Sequence, residues 1–124
     1  MESFTARSTA YYPDSSPLEG GFEDRHGKPL FTLQDFLTGR AEYVSVAMDA
    51  KAFKYGTVLC IPAIDKYYRG RKLLQEDKTI IFRVVDTGGA FRGKGRERID
   101  VCVADEIASF HYLVNYELDI VALI

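Results

Sequence analysis

The chain has 124 residues, 47% hydrophobic and 27% charged, with 16 basic against 18 acidic side chains and a formal net charge of −2. That is enough for one domain, residues 1–124, around one buried core. The balance excludes a dedicated nucleic-acid binder, which would carry a strong basic excess, and no apolar run approaches the roughly 20 residues that span a bilayer.

The N-terminus, MESFTARSTAYYPDSS, lacks the basic-then-apolar pattern of an export signal, which fits a cytosolic protein or an exported one already trimmed. Phe4–Tyr12 reads as a first strand, rich in Tyr, Thr and Phe. Pro13–Pro29 is loop by its Gly, Pro, Asp and Ser content. LQDFLTG predicts a short helix, with Thr32 placed to cap it, Asp35 completing a capping box and Gly39 ending it. Strands follow at Tyr43–Met48 and Thr57–Ile61, and the charged stretch Lys66–Lys78 is expected to be a surface hairpin or loop. Two further strands, Thr79–Val85 and Arg98–Ala104, flank a Gly- and Arg-rich loop. A second helix is expected after Asp105, in DEIASFHYL, where acidic residues suit the first turn. Glu117–Leu123 is the last strand. Six short strands with long, uneven connections, two of them holding helices, predict an all-β fold: a small closed or nearly closed barrel.

Cys60 and Cys102 lie in apolar strand-like runs and are expected to be buried free thiols. His26 and His111 are isolated, and no Cys/His spacing has the form of a metal site, so neither metal nor cofactor is expected.

The chemistry concentrates in VVDTGGAFRGKGRERIDV, where Asp86 and Asp100 stand at two strand ends. Alternation along TIIFRVVD puts Ile80, Phe82, Val84 and Asp86 on one face, so Asp86 is expected to point inward at the end of its strand. In RIDVCVA, Ile99, Val101 and Val103 share the apolar face, which turns Asp100 toward a cleft or solvent together with Arg98. A carboxylate within a β-branched run is unfavourable by propensity and needs a partner or a purpose. An Asp before Thr-Gly-Gly is also a common turn residue. Gly88 and Gly89 would permit a positive φ or close approach of a ligand to the backbone.

These pieces together resemble the "3D" domain, named for three aspartates, of the membrane-bound lytic transglycosylase A family and of stationary-phase survival cell-wall proteins. The matching segments are TAYYP (Thr9–Pro13), EGG (Glu19–Gly21), VSVAMD (Val44–Asp49), YGTVLCIP (Tyr55–Pro62), VVDTGGAF (Val84–Phe91) and RIDV (Arg98–Val101). The resemblance implies a six-stranded double-psi β-barrel with one or two short helices in its connections. It implies an enzyme of the cell envelope, or a secreted one, that acts as a monomer on peptidoglycan glycan strands. Such an enzyme cuts the β-1,4 bond from N-acetylmuramic acid to N-acetylglucosamine and leaves a 1,6-anhydro-muramoyl end. Asp100 falls on the family's acid/base position and Asp86 on its partner position. Thr9 and Tyr11 fall on the groove-lining strand, Gly88, Gly89 and Phe91 are the further substrate-binding candidates, and Asp49 is the third aspartate, in a supporting role. The loop between Asp86 and Asp100 is longer and more basic than in compact members of the family, and Cys102 stands where a larger residue is expected.

Two readings from other classes compete. An expansin-like, non-catalytic glycan-binding module would keep an aromatic platform and could lose its acid. A dimeric aspartic protease would use the D-T-G at Asp86–Gly88, but needs two such carboxylates to share a proton across a dyad.

Overall fold

Six strands close on themselves in a computed structural model that describes residues 1–14 and 21–124. They are β1 (Glu2–Tyr11), β2 (Val44–Ala47), β3 (Thr57–Cys60), β4 (Phe82–Asp86), β5 (Arg98–Cys102) and β6 (Glu117–Leu123), and their order around the barrel is β1-β5-β2-β4-β3-β6. Each matches a predicted strand to within a few residues. Pairs β1/β5 and β2/β4 run parallel, and the other four neighbouring pairs run antiparallel. Exchanging β1, β2 and β3 for β4, β5 and β6 returns the same list of neighbours with the same directions. The chain is therefore two interlocked three-stranded halves about a pseudo-twofold axis at the β2/β5 pair, the arrangement of a six-stranded double-psi β-barrel. Closure leaves no strand edge to template aggregation.

Alternation decides what fills the interior. Val44 and Val46, Phe82 and Val84, and Ile99 and Val101 point into the barrel, each essentially without solvent exposure. Leu59, Leu118 and Ile120 complete the packing. Phe82 is the largest of the fully buried side chains; burial of such a side chain contributes about 1.5–3 kcal/mol.

The first helix, α1 (Leu33–Leu37), forms with the cap expected of it. Thr32 Oγ1 accepts from the Asp35 N–H and Asp35 Oδ2 accepts from the Thr32 N–H, each at 3.0 Å. Gly39, at φ 78°, carries the chain out of the helix. The stretch expected as a hairpin or loop at Lys66–Lys78 begins instead inside a helix, α2 (Pro62–Gly70). Pro62 occupies its first turn, where the missing N–H costs nothing. Ile64 is buried on its inner face, and the Asp65 carboxylate accepts from the Ile80 N–H at 3.1 Å. The surrounding charges hid this periodicity in the sequence. Asp105 caps a short α3 (Glu106–Ser109), and a 3-10 turn at Tyr112–Asn115 leads into β6. No helix among the described residues is long and apolar enough to cross a membrane.

Candidate functional site

Strand pairing places Asp86 and Asp100 on either side of one small residue. Ala47 of β2 pairs with Asp86 of the parallel neighbour β4 and with Asp100 of the antiparallel neighbour β5. Thr9 of β1 pairs with Asp100 from the far side of β5. Thr9, Asp100, Ala47 and Asp86 thus form one row across four strands, on the face opposite the interior. Two strand spacings put the Cα atoms of the two aspartates about 9.5 Å apart. The alanine between them is 4% exposed.

The position of Asp86 corrects the inward direction that simple alternation gives. Val46 pairs with Val84, but the next residue, Ala47, pairs with Asp86, so β4 carries one extra residue at this point. Such a bulge reverses the parity of everything beyond it. Asp86 therefore shares the outer face with Ala47 and Asp100 instead of continuing the interior row of Phe82 and Val84.

The floor of this face is apolar. Tyr11, Leu30, Ala47, Phe91 and Cys102 form a second buried cluster, separate from the barrel interior. Tyr11 pairs with Cys102 two residues along from the Thr9–Asp100 pair. Burial drives the Tyr11 hydroxyl well above its ordinary pKa, with Cys102, Asp86 and Asp100 adding to the effect. Burial likewise pushes the Cys102 thiol up; both cysteines are free, but Cys60, expected to be buried, is only partly so. The Tyr11 hydroxyl is sealed from solvent, and the Cys102 thiol is its one weak hydrogen-bonding neighbour among the described residues.

The two carboxyl groups have different surroundings. Asp100 Oδ1 accepts a 3.0 Å hydrogen bond from the Thr9 hydroxyl. Asp86 is half-buried, and its Oδ1 accepts from the Thr87 N–H at 2.9 Å. Burial raises the Asp86 pKa above the usual carboxylate range and nearby Asp24 adds to the rise, while the Thr87 N–H and Arg25 oppose it. The Arg98 guanidinium lies 5.3 Å from the centre of the Phe91 ring.

The remaining candidates take varied places. Tyr11 is 7% exposed and Phe91 6%, so neither ring offers an open face on which a sugar could stack. Gly88 is extended at φ −169°, and neither it nor Gly89 adopts a positive φ. A Cβ on Gly89 would meet nothing within 4 Å, and one on Gly88 only the Phe91 ring at 3.7 Å, so the positive φ expected of these glycines falls instead on Gly93 and Gly95. The Gly95 N–H donates to Asp49 Oδ2 and the Lys51 N–H to Oδ1, both at 3.0 Å. These bonds hold the Asp49 carboxyl below its ordinary pKa, and Asp49 ties the end of β2 to the loop between the other two aspartates. Glu19 and Gly20 of the EGG segment lie outside the described residues.

A further carboxylate, Asp24, was not singled out from the sequence. It is 6% exposed. Its Oδ1 accepts from the N–H groups of His26 (2.8 Å) and Lys28 (3.0 Å), and its Oδ2 from the Tyr55 hydroxyl at 2.5 Å. The His26 ring stacks on Tyr55 with centroids 3.7 Å apart. The Arg25 N–H donates to the carbonyl of Val85 at 3.3 Å, which fastens this loop against β4 one residue before Asp86. DRHG carries the signature of an Asp-led turn ending in glycine, but nothing local in it announces Tyr55 or Asp86 as neighbours.

No family model, curated protein or solved structure matches the chain.

Proposed function

We propose that the chain is a peptidoglycan lytic transglycosylase that cleaves the β-1,4 bond between N-acetylmuramic acid and N-acetylglucosamine and leaves 1,6-anhydro-muramoyl ends. The observation that carries this reading is the row Thr9–Asp100–Ala47–Asp86: two carboxyl groups on one barrel face with only an alanine between them. The resemblance of VVDTGGAF and RIDV to the 3D domain supports it. Two differing carboxyl groups about a sugar are the equipment of glycosidic cleavage, one moving protons and the other stabilising positive charge at C1.

A lytic transglycosylase consumes no water. The C6 hydroxyl of the muramoyl unit attacks its own C1, and this internal nucleophile supplies the proximity advantage. One carboxyl group protonates the departing glycosidic oxygen and then, as carboxylate, takes the proton from the C6 hydroxyl. The resemblance assigns both transfers to Asp100. In this reading the chain works as a monomer on glycan strands of the cell envelope and needs no cofactor.

The test is digestion of purified peptidoglycan, with products read by mass spectrometry. Wild type should yield anhydro-muropeptides, and Asp100→Asn should lose about 10²–10⁴-fold in rate. Reducing-end products would replace the transglycosylase with a hydrolase. Undiminished polymer pull-down by both proteins, with no products, would leave the glycan-binding module.

A further inference from the structure

The chain between α3 and β6 carries an aromatic surface that the aspartate row does not use. Tyr112 and Tyr116 are 62% and 63% exposed, and Ile107 and Phe110 just before them are exposed as well. Large apolar side chains gathered in one short stretch mark an interaction site more often than ordinary surface. Both tyrosines line an open cleft of about 480 Å³, together with Pro62 and Ala63 from the start of α2 and Glu117 and Asp119 from β6. That volume lies within the roughly 300–1,000 Å³ of small-molecule sites. Glu117 and Asp119 alternate with the inward Leu118 and Ile120, so both carboxylates face outward.

The two rings stand on a braced backbone. The Leu113 N–H donates to His111 Nδ1 at 3.2 Å, and Asn115 Nδ2 donates to the carbonyls of Ser109 (2.8 Å) and His111 (2.9 Å). Val114 is buried beneath the turn, and the Ser8 N–H ties the Tyr116 carbonyl to β1 at 2.8 Å. The Tyr112 ring lies on that of His111, with centroids 4.9 Å apart and planes 20° from parallel, which covers one face of the tyrosine. Rings fixed before a ligand arrives lose little entropy on binding it.

This lining suits a sugar. A pyranose offers an apolar C–H face and a belt of hydroxyl donors; tyrosine rings pack on the first and carboxylates accept from the second. The Thr5 hydroxyl donates to Asp119 Oδ1 at 2.8 Å and orients that carboxylate. No basic side chain lines the cleft: Arg7, opposite Glu117 on β1, and Arg71, over the Tyr67 ring, stand outside it. That charge pattern disfavours a nucleic acid or an anionic lipid surface. Tyr11 and Phe91, beside the aspartate row, are buried and offer a sugar nothing comparable.

We propose that this cleft is a second glycan-binding site, which takes a strand of β-1,4-linked N-acetylhexosamines with its rings stacked on Tyr112 and Tyr116. The proposal rests on the transglycosylase reading for the identity of the polymer and adds a hold on it away from the place of cleavage. In the closed order β1-β5-β2-β4-β3-β6, β6 is three strands from β2 in either direction. The cleft therefore flanks the strand opposite the one that carries Ala47 in the aspartate row.

Tyrosine ring resonances, assigned by single Tyr→Phe substitutions, would be followed by NMR as the N-acetylglucosamine tetramer is added to the whole chain. The rings of Tyr112 and Tyr116 should shift saturably. The double variant Tyr112→Ala, Tyr116→Ala should be retained on insoluble peptidoglycan about tenfold more weakly, with phenylalanine at both positions restoring retention. Circular dichroism should show that the double-alanine variant is folded, since both rings are exposed. Its KM for intact polymer should rise while kcat stays unchanged. Tyrosine rings unmoved by the tetramer, or equal retention of wild type and the double-alanine variant, would overturn the proposal. So would saturable shifts of these rings with an oligolysine peptide or phosphatidylglycerol vesicles in place of the tetramer. A protein that binds the tetramer at these rings but releases no anhydro-muropeptides would overturn the transglycosylase reading and retain the site. Release of anhydro-muropeptides with no dependence on the two tyrosines would do the reverse.

Discussion

The two halves of the barrel use one backbone plan for opposite chemistry. At the end of β1, Tyr11 pairs with Cys102, and the following Val103 donates its N–H to the Tyr11 carbonyl at 2.8 Å. At the end of β4, Asp86 pairs with Ala47, and the following Met48 donates its N–H to the Asp86 carbonyl at 3.1 Å. The pseudo-twofold thus sets Tyr11 against Asp86 and Cys102 against Ala47. One half closes its crossing with a buried aromatic ring on a thiol. The other sets a half-buried carboxyl group beside an alanine that packs in the same apolar cluster as Tyr11 and Cys102. A symmetric fold offers two equivalent positions, and side-chain size and charge decide which becomes a site.

The comparison breaks most visibly if the halves prove to be independent units. Phe82 lies in the interior that both halves share, and Phe82→Ala should cost about 3–5 kcal/mol. Unfolding should remain a single transition, with far-UV and near-UV circular dichroism coincident; two separated transitions would show that the halves fold on their own.

A smaller effect separates Asp86 from Asp49 by the sign of its pH dependence. The folded chain raises the pKa of Asp86, so its contribution to stability is fully present below the ordinary carboxylate range and is lost as pH rises through the raised value. Asp86→Asn should therefore raise the melting temperature at pH 7 and leave it nearly unchanged at pH 4. Asp49 has the opposite sign: its pKa is lowered, and its contribution is present at neutral pH and lost as pH falls through the lowered value. A melting temperature for Asp86→Asn below that of wild type at pH 7 would remove the distinction.

The smallest expected effect lies on the tyrosine side. The buried Tyr11 hydroxyl has only the Cys102 thiol, a weak partner, beside it among the described residues, so Tyr11→Phe should leave stability within about 1 kcal/mol of wild type. A larger loss, read from chemical denaturation, would mean that the hydroxyl makes a bond in solution and that the closed half is not a simple apolar plug.

Much of this was legible along the chain. The six strands stood out because β-branched and aromatic residues recur in short runs between Gly, Pro and Asp breaks. The capping box of α1 stood out because its two partners are three residues apart. Asp100 was rightly expected on the face opposite Ile99 and Val101, since β5 is regular and period two holds along it. The helix α2 was obscured because its inner face is short and most of its other side chains are charged or aromatic and partly exposed.

What the sequence determined by itself is whatever depends on neighbours a few residues away: strand and helix positions, caps, the apolar interior, and the presence of two aspartates at strand ends. Only the tertiary structure decided which face Asp86 occupies, because one unpaired residue in β4 reverses the alternation and the need for it arises in the pairing with β2. It also decided that Asp24, far away in sequence, lies beside Asp86 and is held there by Tyr55 and the backbone of β4. Charge interactions depend on distance in space, and barrel closure brings these residues together across many intervening positions.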